Sequence, residues 1–333
     1  MDVLQTPNYP CGMKKTSAAV LTILLSALAG SLSAQCVSSW AQLPTPGQGT
    51  NGTVRALTTW DPDGPGPLPD HLVVCGQFTS AARLPGTSNV AAMNLVTKEW
   101  IALDQGRTTA CRAAAADGPS LFVASGTGVH WFIGSTWIDL PGVPMGVTAL
   151  AVLTNGDLVA GSPSGAHLWN GTQWTSLGVN GTVSALVVTP SGDLVAGGSF
   201  TSTVHGPANR IALWNGSTWS AMGSGSTAPV GALTIDATGQ PIAGGALAGN
   251  TGQVILRWDG STWQALATCS GEINCLACLS NGDITAGGWL GGGGYYAPFV
   301  ILSGGSLVSS GVEAGLQFAM TRLPAGGIAV GGA

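Results

Sequence analysis

Two arginines occupy the same place in two related segments and are the clearest candidates for binding chemistry in this sequence. Arg55 lies in the segment "VRAL" and Arg112 in the segment "CRAA". A guanidinium group offers a planar fork of N–H donors that suits a carboxylate or another anion. We therefore predict that Arg55 and Arg112 hold an anionic group of a ligand. Pairing with nearby acids or with backbone carbonyls is the alternative.

Aromatic residues and one histidine are the other binding candidates. Trp289, Tyr295 and Tyr296 belong to the glycine-rich segment "WLGGGGYYAP", where their rings could stack on a sugar or a peptide. Covering the edge of a neighbouring element is the alternative interpretation. His205 lies in the polar segment "SFTSTVHGPAN" and is included as a candidate, although a single imidazole there is typical of a solvated side chain.

Metal and cofactor sites are not predicted. Asp61, Asp63 and Asp70 could offer oxygen ligands to calcium, but the prolines between them favour an exposed, stiffened loop. Cys275 and Cys278 have the spacing of a zinc or redox motif, yet the sequence has no second such pair and no histidine close to it. Structural thiols or disulfides are the preferred interpretation of these cysteines, and no cofactor is expected.

Residues 1–34 have the features of a signal peptide. Lys14 and Lys15 precede an apolar run over 18–30, and the small residues of "SLSAQ" follow it. The run is too short for a comfortable transmembrane helix. Met13 is a second candidate for the first residue, because the segment that begins there reads as a complete bacterial leader. We predict a secreted, periplasmic or cell-surface protein.

The six cysteines that follow this leader suit an exported chain with disulfides. Six cysteines allow fifteen pairings, and the sequence does not choose among them. They are Cys36, Cys75, Cys111, Cys269, Cys275 and Cys278.

The composition favours an all-β protein. The chain has 333 residues, of which 45% are hydrophobic, 8% are charged and 52 are glycines. Disorder requires low hydrophobicity and high charge, so it is excluded. Many glycines among short apolar runs suit a β fold rich in tight turns. The formal net charge is -5 with no basic cluster after the leader, which excludes nucleic-acid binding.

A unit of four short apolar runs separated by turn signals recurs along the chain. Residues 183–223 show it best, as "VSALVVT", "LVAGGSF", "NRIALW" and "WSAMG". Four antiparallel strands per repeat are typical of a β-propeller blade. The first strand recurs seven times, so we predict one propeller domain over 35–333. Its seven blades lie at about 54–104, 111–141, 147–178, 183–223, 230–267, 273–312 and 316–333.

The ring is predicted to close through the start of the mature chain. The last unit stops after its second strand, and "SSWAQLP" at 38–44 has the pattern of an isolated fourth strand. Combining these segments would complete the last blade and remove its open edge. That blade has no obvious third strand, and a propeller of six blades is the alternative.

The repeat resembles the kelch-type β-propeller repeat, which belongs to the same superfold as galactose oxidase. Trp214-Asn215 and Trp258-Asp259 correspond to the aromatic–acidic pair of the kelch pattern, although the turn that follows is shorter. The sequence style also resembles that of exported bacterial propellers. The double glycines that match the kelch pattern are Gly197-Gly198, Gly244-Gly245, Gly287-Gly288 and Gly331-Gly332.

The tryptophans of the repeat are interpreted as framework. One tryptophan recurs on the fourth strand of five units and a second recurs on the third strand, whatever the loops do. Such rings bury a large apolar area, so we predict that they pack blade against blade. These residues are Trp100, Trp137, Trp174, Trp214, Trp219, Trp258 and Trp263.

In a propeller, the first strand lines the central channel, and the second-to-third (B–C) and fourth-to-first (D–A) loops share one face. The B–C loops of this sequence vary widely in length, whereas most A–B and C–D turns are short. Variable loops on a rigid scaffold are where binding usually resides. We therefore predict that the B–C/D–A face binds a protein or an extracellular glycan.

Catalysis is the less favoured alternative. The resemblance to galactose oxidase implies copper chemistry with two tyrosines, two histidines and a cysteine brought together, but the only tyrosines after the leader, Tyr295 and Tyr296, are adjacent. Sialidase-like propellers need an arginine triad, a tyrosine nucleophile and acidic partners, and no such set is evident. We expect a monomeric, non-catalytic scaffold, with a secreted carbohydrate-active enzyme of either kind as the alternative.

Overall fold

The computed structural model describes residues 5–8, 39–42, 49–245, 252–292, 295–309 and 317–332, and every regular element in these ranges is a β-strand. Within them no helix is long and apolar enough to cross a membrane. The first strands are β1 (Gln5–Asn8), β2 (Ser39–Gln42), β3 (Thr53–Trp60), β4 (His71–Gln77), β5 (Val90–Asn94), β6 (Trp100–Ile101), β7 (Cys111–Asp117), β8 (Ser120–Ser125), β9 (Gly128–Ile133), β10 (Thr136–Asp139), β11 (Ala149–Val152), β12 (Leu158–Ser162), β13 (Gly165–Trp169) and β14 (Trp174–Ser176). The remaining strands are β15 (Val179–Asn180), β16 (Val183–Val188), β17 (Leu194–Gly198), β18 (Ser202–Thr203), β19 (Gly206–Pro207), β20 (Ile211–Trp214), β21 (Trp219–Ala221), β22 (Ala232–Ile235), β23 (Pro241–Gly245), β24 (Gln253–Trp258), β25 (Trp263–Cys278), β26 (Ile284–Gly292), β27 (Tyr295–Ser303), β28 (Ser306–Ser309), β29 (Gln317–Arg322) and β30 (Ile328–Gly332).

The strands form four-stranded antiparallel blades in chain order. The first three blades are β3–β6, β7–β10 and β11–β14, and the fourth is β16, β17, β20 and β21. The fifth and sixth share the long strand β25, whose first part is the outer strand of one and whose last part is the inner strand of the other. The sequence predicts two separate strands here. They join because residues 268–272 also pair with a neighbouring strand.

The inner strands close a ring around a central channel. In the described part of the chain these strands are β3, β7, β11, β16, β22, β25 and β29, and each lies beside the next, with β29 beside β3. Small residues on them allow this convergence, among them Ala56, Ala113, Ala149, Ala185 and Ala232. The predicted fold class, an all-β propeller of four-stranded antiparallel blades, is confirmed.

The chain's first described segment takes part in closing the ring. Strands β29 and β30 pair with each other, β1 lies beside β30, and β2 pairs with β1. Strand β2 belongs to the segment predicted to complete the last blade, and β1 takes the third-strand place for which the sequence offers no candidate. Strands β1 and β2 form a sheet of their own beside β30, separate in hydrogen bonding from the sheet of β29 and β30. Strand β1 lies within the predicted leader, so cleavage, which stays a prediction, would remove it.

Blades pack together through a glycine and a β-branched residue. At Gly197, a Cβ would lie 2.6 Å from Val230 Cγ1 at the head of the next blade's inner strand. At Gly198, a Cβ would collide with Thr182 O of its own blade. The double glycine is therefore required by close approach on two sides. The close approach between a glycine and the β-branched residue of the next blade recurs at three other junctions. These pairs are Gly161 and Val183, Gly244 and Ile273, and Gly331 and Val54.

Outer-strand tryptophans also join neighbouring blades. Trp219 Nε1 donates to Leu177 O of the preceding blade at 2.7 Å. Trp263 Nε1 donates to Met222 O at 3.0 Å, and Trp137 makes the equivalent bond in the second blade. Trp219 and Trp263 are both buried. These indoles therefore bury an apolar ring and satisfy a carbonyl across each of three contacts between blades.

The hairpin "WNGSTW" is a turn closed by its own side chain. Asn215 Oδ1 accepts the backbone N–H of Ser217 at 3.0 Å and that of Thr218 at 2.9 Å. Trp214 and Trp219 are cross-strand partners with ring centroids 5.3 Å apart. An asparagine that bonds two residues ahead is a stable turn former, which explains why the segment recurs.

Candidate functional site

A β-bulge sets the direction of both candidate arginines. In β3 the register with β4 shifts at Arg55, between Val54 and Ala56, and in β7 it shifts at Arg112. A bulged residue is left out of the ladder, which re-aims its side chain. The same shift occurs in β16, β25 and β29, at Ser184, Asn274 and Phe318.

The bulges lie at the mouth of the central channel, on the face of the B–C and D–A loops. Arg55 and Arg112 line this mouth, and both are exposed. In the described part of the chain neither makes an ion pair, and Arg55 Nη2 donates to the neutral Gln77 Oε1 at 3.2 Å. Two unneutralised guanidinium groups therefore face solvent at one opening. Among the other described residues around it, which include Thr148, Gly231, Asn274 and Phe318, none carries a carboxylate.

A polar groove continues from this mouth between the first two blades. It has a volume of about 560 Å³ and lies between the B–C loop of the first blade and the connection over 102–110. Gln77 lines the groove and also accepts the hydrogen bond from Arg55, so it connects the groove with the channel mouth. Amide and hydroxyl groups here can bond to a ligand's backbone or side chains. The polar residues of the wall include Asn51, Gln77, Thr79, Ser88, Asn89 and Arg107.

Charge is segregated between the two faces of the described propeller. The B–C/D–A face carries five arginines against three acids, whereas the A–B/C–D face carries ten acids against three basic residues. The basic residues of the B–C/D–A face are Arg55, Arg83, Arg107, Arg112 and Arg210, and its acids are Asp104, Asp139 and Glu272. The acids of the opposite face are Asp61, Asp63, Asp70, Glu99, Asp117, Asp157, Asp193, Asp236, Asp259 and Asp283, and its basic residues are Lys98, Arg257 and Arg322.

A Ser–His–Asp arrangement beside the groove is not foreseen from the sequence. Ser125 Oγ lies 2.8 Å from His130 Nε2, and His130 Nδ1 lies 2.6 Å from Asp139 Oδ1. Arg107, which lines the groove, donates from Nη2 to Asp139 Oδ1 at 3.2 Å. A neutral imidazole with its proton on Nδ1 satisfies both contacts, because it donates to Asp139 and accepts from Ser125.

Electrostatics around this ring favour the neutral imidazole. Burial lowers the pKa of His130; Asp139 opposes this shift and Arg107 adds to it. The hydrogen bond from His130 is the main cause that lowers the pKa of Asp139. His130 is buried, whereas the side chain of Asp139 is 75% exposed. The carboxylate of Asp139 therefore stays charged and exposed to solvent, whereas the imidazole ring of His130 stays neutral and buried.

The hydroxyl of Ser125 uses all its hydrogen-bonding groups within the fold. Its oxygen accepts from Thr109 Oγ1 at 2.9 Å and from the backbone N–H of Thr127 at 3.2 Å, and its proton is directed to His130. A hydroxyl has one proton and two lone pairs, so all three are used. Ser125 is also buried.

The third blade has a serine–histidine contact at the related turn, but it is made by Ser164, which corresponds to Thr127, and not by the counterpart of Ser125. Ser162 Oγ accepts from the N–H of Ser164 at 3.2 Å, and Ser164 Oγ lies 3.1 Å from His167 Nε2. Both blades have very short B–C turns and a serine five residues before a histidine, which is the signal by which the sequence could have revealed the motif. In the third blade Ser176 stands where the second has Asp139. The Ser–His pair therefore closes a tight turn.

His205 is not brought to the channel mouth. Its loop forms a small sheet of β15, β18 and β19, and His205 Nδ1 accepts from the backbone N–H of Trp219 at 3.1 Å. The ring centroid of His205 is 6.1 Å from that of Trp214. This loop folds against the outer strands of the fourth blade, because strand pairing satisfies its backbone. His205 therefore lies apart from Arg55 and Arg112, and binding through it stays a prediction.

The segment that contains Trp289, Tyr295 and Tyr296 is a hairpin instead of a loop. Strand β26 reaches Gly292 and β27 begins at Tyr295, with 293–294 outside the described residues. Tyr295 and Tyr296 pair through their backbones with Gly292 and Gly291. The sheet of the sixth blade continues past the blade, because backbone pairing persists through the glycines. Binding through these three rings stays a prediction.

The aspartates and cysteines considered for metal or disulfide sites have structural places in the described residues. Asp63 Oδ2 accepts from the N–H of Leu68 at 3.1 Å, which shapes the A–B loop of the first blade. No group of three or more metal-ligating side chains occurs among the described residues. Cys36 lies outside those residues, and the predicted disulfides do not occur among the others. The cysteines described are all buried free thiols: Cys75, Cys111, Cys269, Cys275 and Cys278.

Comparisons with known proteins identify the fold. No protein-family model and no curated protein matches the chain. The WD40 propeller domain of Doa1 is 16% identical with a TM-score of 0.56, over 85% of this chain and 91% of that one. The chain is a β-propeller. YCF48 bound to a peptide has the same identity and TM-score, over 88% of this propeller and 93% of its own chain.

A third similar structure is the extracellular domain of a proposed one component system from B. thetaiotaomicron. It is 12% identical with a TM-score of 0.59, over 84% of this propeller and 39% of that chain. Identities this low show the shared fold alone, so membership of the kelch type stays a prediction.

Proposed function

We propose that this propeller is a non-catalytic scaffold that binds an acidic segment of a partner protein at its B–C/D–A face. The observation that carries the proposal is the pair of exposed guanidinium groups of Arg55 and Arg112 at one channel mouth, where no described lining residue is a carboxylate. Exposed cations attract and orient an anionic partner, and each can form two parallel hydrogen bonds with a carboxylate.

The segregation of charge supports docking of the partner on this one face. An acidic segment is attracted by the five arginines of the B–C/D–A face and repelled by the acids of the opposite face. Charge complementarity of this kind contributes mainly to orientation and association rate. The partner would therefore approach from the side on which the B–C loops vary.

A peptide is favoured over a glycan because of the groove. Its wall offers amide and hydroxyl groups next to Arg107, and Gln77 connects it to Arg55, so one extended segment could contact both places. The structural similarity to YCF48, which was solved with a bound peptide, is compatible with this use of the fold. An anionic glycan is the alternative ligand. We propose export as well, from the predicted leader.

The test is a titration of the purified chain with labelled probes. Fluorescence anisotropy would compare a glutamate-rich peptide, the same peptide with glutamine in place of glutamate, and an oligouronate. We expect the glutamate peptide to bind, and binding to weaken with added salt because exposed charges are screened. The double variant Arg55→Gln/Arg112→Gln should lose about tenfold or more in affinity, equivalent to about 1.4 kcal/mol.

A matched control has the same change of net charge on the opposite face. Lys98→Gln/Arg322→Gln removes two exposed cations there and should leave the affinity within about twofold, since screening limits their reach. Equal weakening by both double variants, or equal binding of the glutamate and glutamine peptides, would reject the proposed site. Binding of the oligouronate alone would assign the same face to a glycan.

A further inference from the structure

Cysteine replaces both members of the glycine–valine contact at one junction between blades. The segment "LVVCG" of β4 aligns with "LVAGG" of β17, which places Cys75 where the fourth blade has Gly197. Cys111 stands directly before the bulge of the next blade, where the fifth blade has Val230.

The strand registers support this alignment. Cys75 pairs with Ala56, the residue after the bulge of its own blade, and Gly197 pairs with Ala185, which has the same place in the fourth blade. Cys75 and Cys111 belong to one apolar cluster between the first and second blades. We propose that these two cysteines form a disulfide that joins the two blades.

Distances at the equivalent junctions show that the two positions are close enough for the bond. A Cβ built on the glycine would lie 2.8 Å from Val54 Cβ at Gly331, and 3.2 Å from Val230 Cβ at Gly197. Disulfide-bonded cysteines have Cβ atoms about 3.8 Å apart. A separation of the blades by less than about 1 Å therefore reaches disulfide geometry.

The joint replacement also has a steric reason. At Gly197 a Cβ would lie 2.6 Å from Val230 Cγ1, so a side chain there requires the β-branched neighbour to move. Cysteine is unbranched at Cβ, so a cysteine opposite Cys75 removes that collision, and a valine would not. At the next junction only the glycine is replaced, by Ala124 opposite Val147, so two cysteines take both places at this junction alone among those described.

The two thiols already interact in the reduced chain. Both are free and fully buried in one apolar cluster, and Cys111 is close enough to Cys75 to affect the pKa of its thiol. Burial, with the neighbouring Cys111, raises the pKa of the Cys75 thiol well above its ordinary value. A buried thiol of high pKa exchanges slowly. The bond therefore has to form while the chain folds, before the junction closes.

The reaction needs a disulfide oxidant, for which oxidised glutathione serves as the probe. The two cysteine S–H bonds break, one S–S bond forms between Cys75 and Cys111, and the oxidant is reduced to two thiols. The product closes a covalent loop between the first two blades and restricts the unfolded chain.

Peptide mapping provides the direct test. The reduced, denatured chain would be refolded in a buffer of reduced and oxidised glutathione, treated with iodoacetamide and digested without reductant. We expect mass spectrometry to find the peptides of Cys75 and Cys111 joined, lighter than their sum by two hydrogen atoms. Refolded chain in which both cysteines carry the alkyl label, or are joined to other cysteines, would overturn the proposal.

A matched variant comes from the chain itself. Cys75→Gly/Cys111→Val restores the pair present at the neighbouring junctions and should fold under both redox conditions with the same melting temperature. The unaltered chain should melt several degrees lower after complete reduction than after oxidation. An unaltered chain as insensitive to reductant as the double variant would contradict a disulfide at this junction.

Discussion

His130 Nδ1 lies 2.6 Å from Asp139 Oδ1, and the ring is buried while the carboxylate is exposed. In a hydrolytic triad the serine faces the substrate and the acid is buried behind the histidine. Here Ser125 is buried and its hydrogen bonds are all used. The arrangement stabilises the junction of the second blade with the connection that carries Arg107, and it predicts how the protein responds to acid.

Stability should decrease as the pH falls below about 6.5. Burial lowers the pKa values of His71, His130 and His167, so the unfolded chain binds protons more readily than the folded chain. Their contribution is complete above the ordinary histidine pKa and is lost as the pH falls from there through the folded values. We expect urea unfolding to give a smaller free energy at about pH 5 than at about pH 7.5.

The variant His130→Gln isolates one of these contributions. It should be less stable at neutral pH, with a weaker dependence on pH between the two conditions. The pKa of Asp139 is also lowered, but that group loses its contribution only below the ordinary aspartate range, outside the window measured. A slope equal to that of the unaltered chain would show that His130 does not contribute to the pH dependence.

Ser125 should not react as a nucleophile. We expect no labelling by a fluorophosphonate probe in the folded chain, because the hydroxyl is buried and already bonded on three sides. Ser125→Ala should lower the free energy of unfolding by about 1–3 kcal/mol, since it leaves His130 Nε2 without its strongest partner. Stoichiometric labelling at Ser125 would instead support the enzyme alternative.

The two tryptophans of "WNGSTW" should differ in their contribution to stability. Trp219→Phe removes the N–H that bonds Leu177 O, in a buried contact between blades, and should cost about 2 kcal/mol in urea unfolding. Trp214→Phe, which changes the half-buried ring of the same hairpin, is the matched control and should cost less than about 1 kcal/mol. Equal losses would show that the bond between blades is not decisive.

A double-mutant cycle tests the glycine–valine contact. Gly197→Ala places a Cβ 2.6 Å from Val230 Cγ1 and should destabilise the chain by about 1–3 kcal/mol. Val230→Ala also destabilises, through a lost apolar contact. In the double variant the alanine at 197 should cost less than it does alone, because its obstacle is gone. Additive losses would indicate that strand strain, and not the junction, requires the glycine.

The regular repeat made the fold class predictable. Alternating apolar runs and turn residues are local properties, and each blade uses the same ones, so strands, hairpins and the role of "WNGSTW" follow from single segments. The inner-strand position of Arg55 and Arg112 follows for the same reason, because both share a repeat position. Local structure was not predictable where a segment departs from the repeat: His205 is held by an accessory sheet, and Trp289 belongs to an extended hairpin.

Residue patterns alone establish that this chain is all-β, that its blades are four-stranded and that two arginines head their inner strands. These are consequences of residue patterns a few positions long. Only the tertiary structure decided which distant residues meet: Arg55 with Gln77, Ser125 with His130 and Asp139, and Cys75 with Cys111. Such contacts depend on how blades pack and where bulges turn a side chain, and closure of the ring sets both.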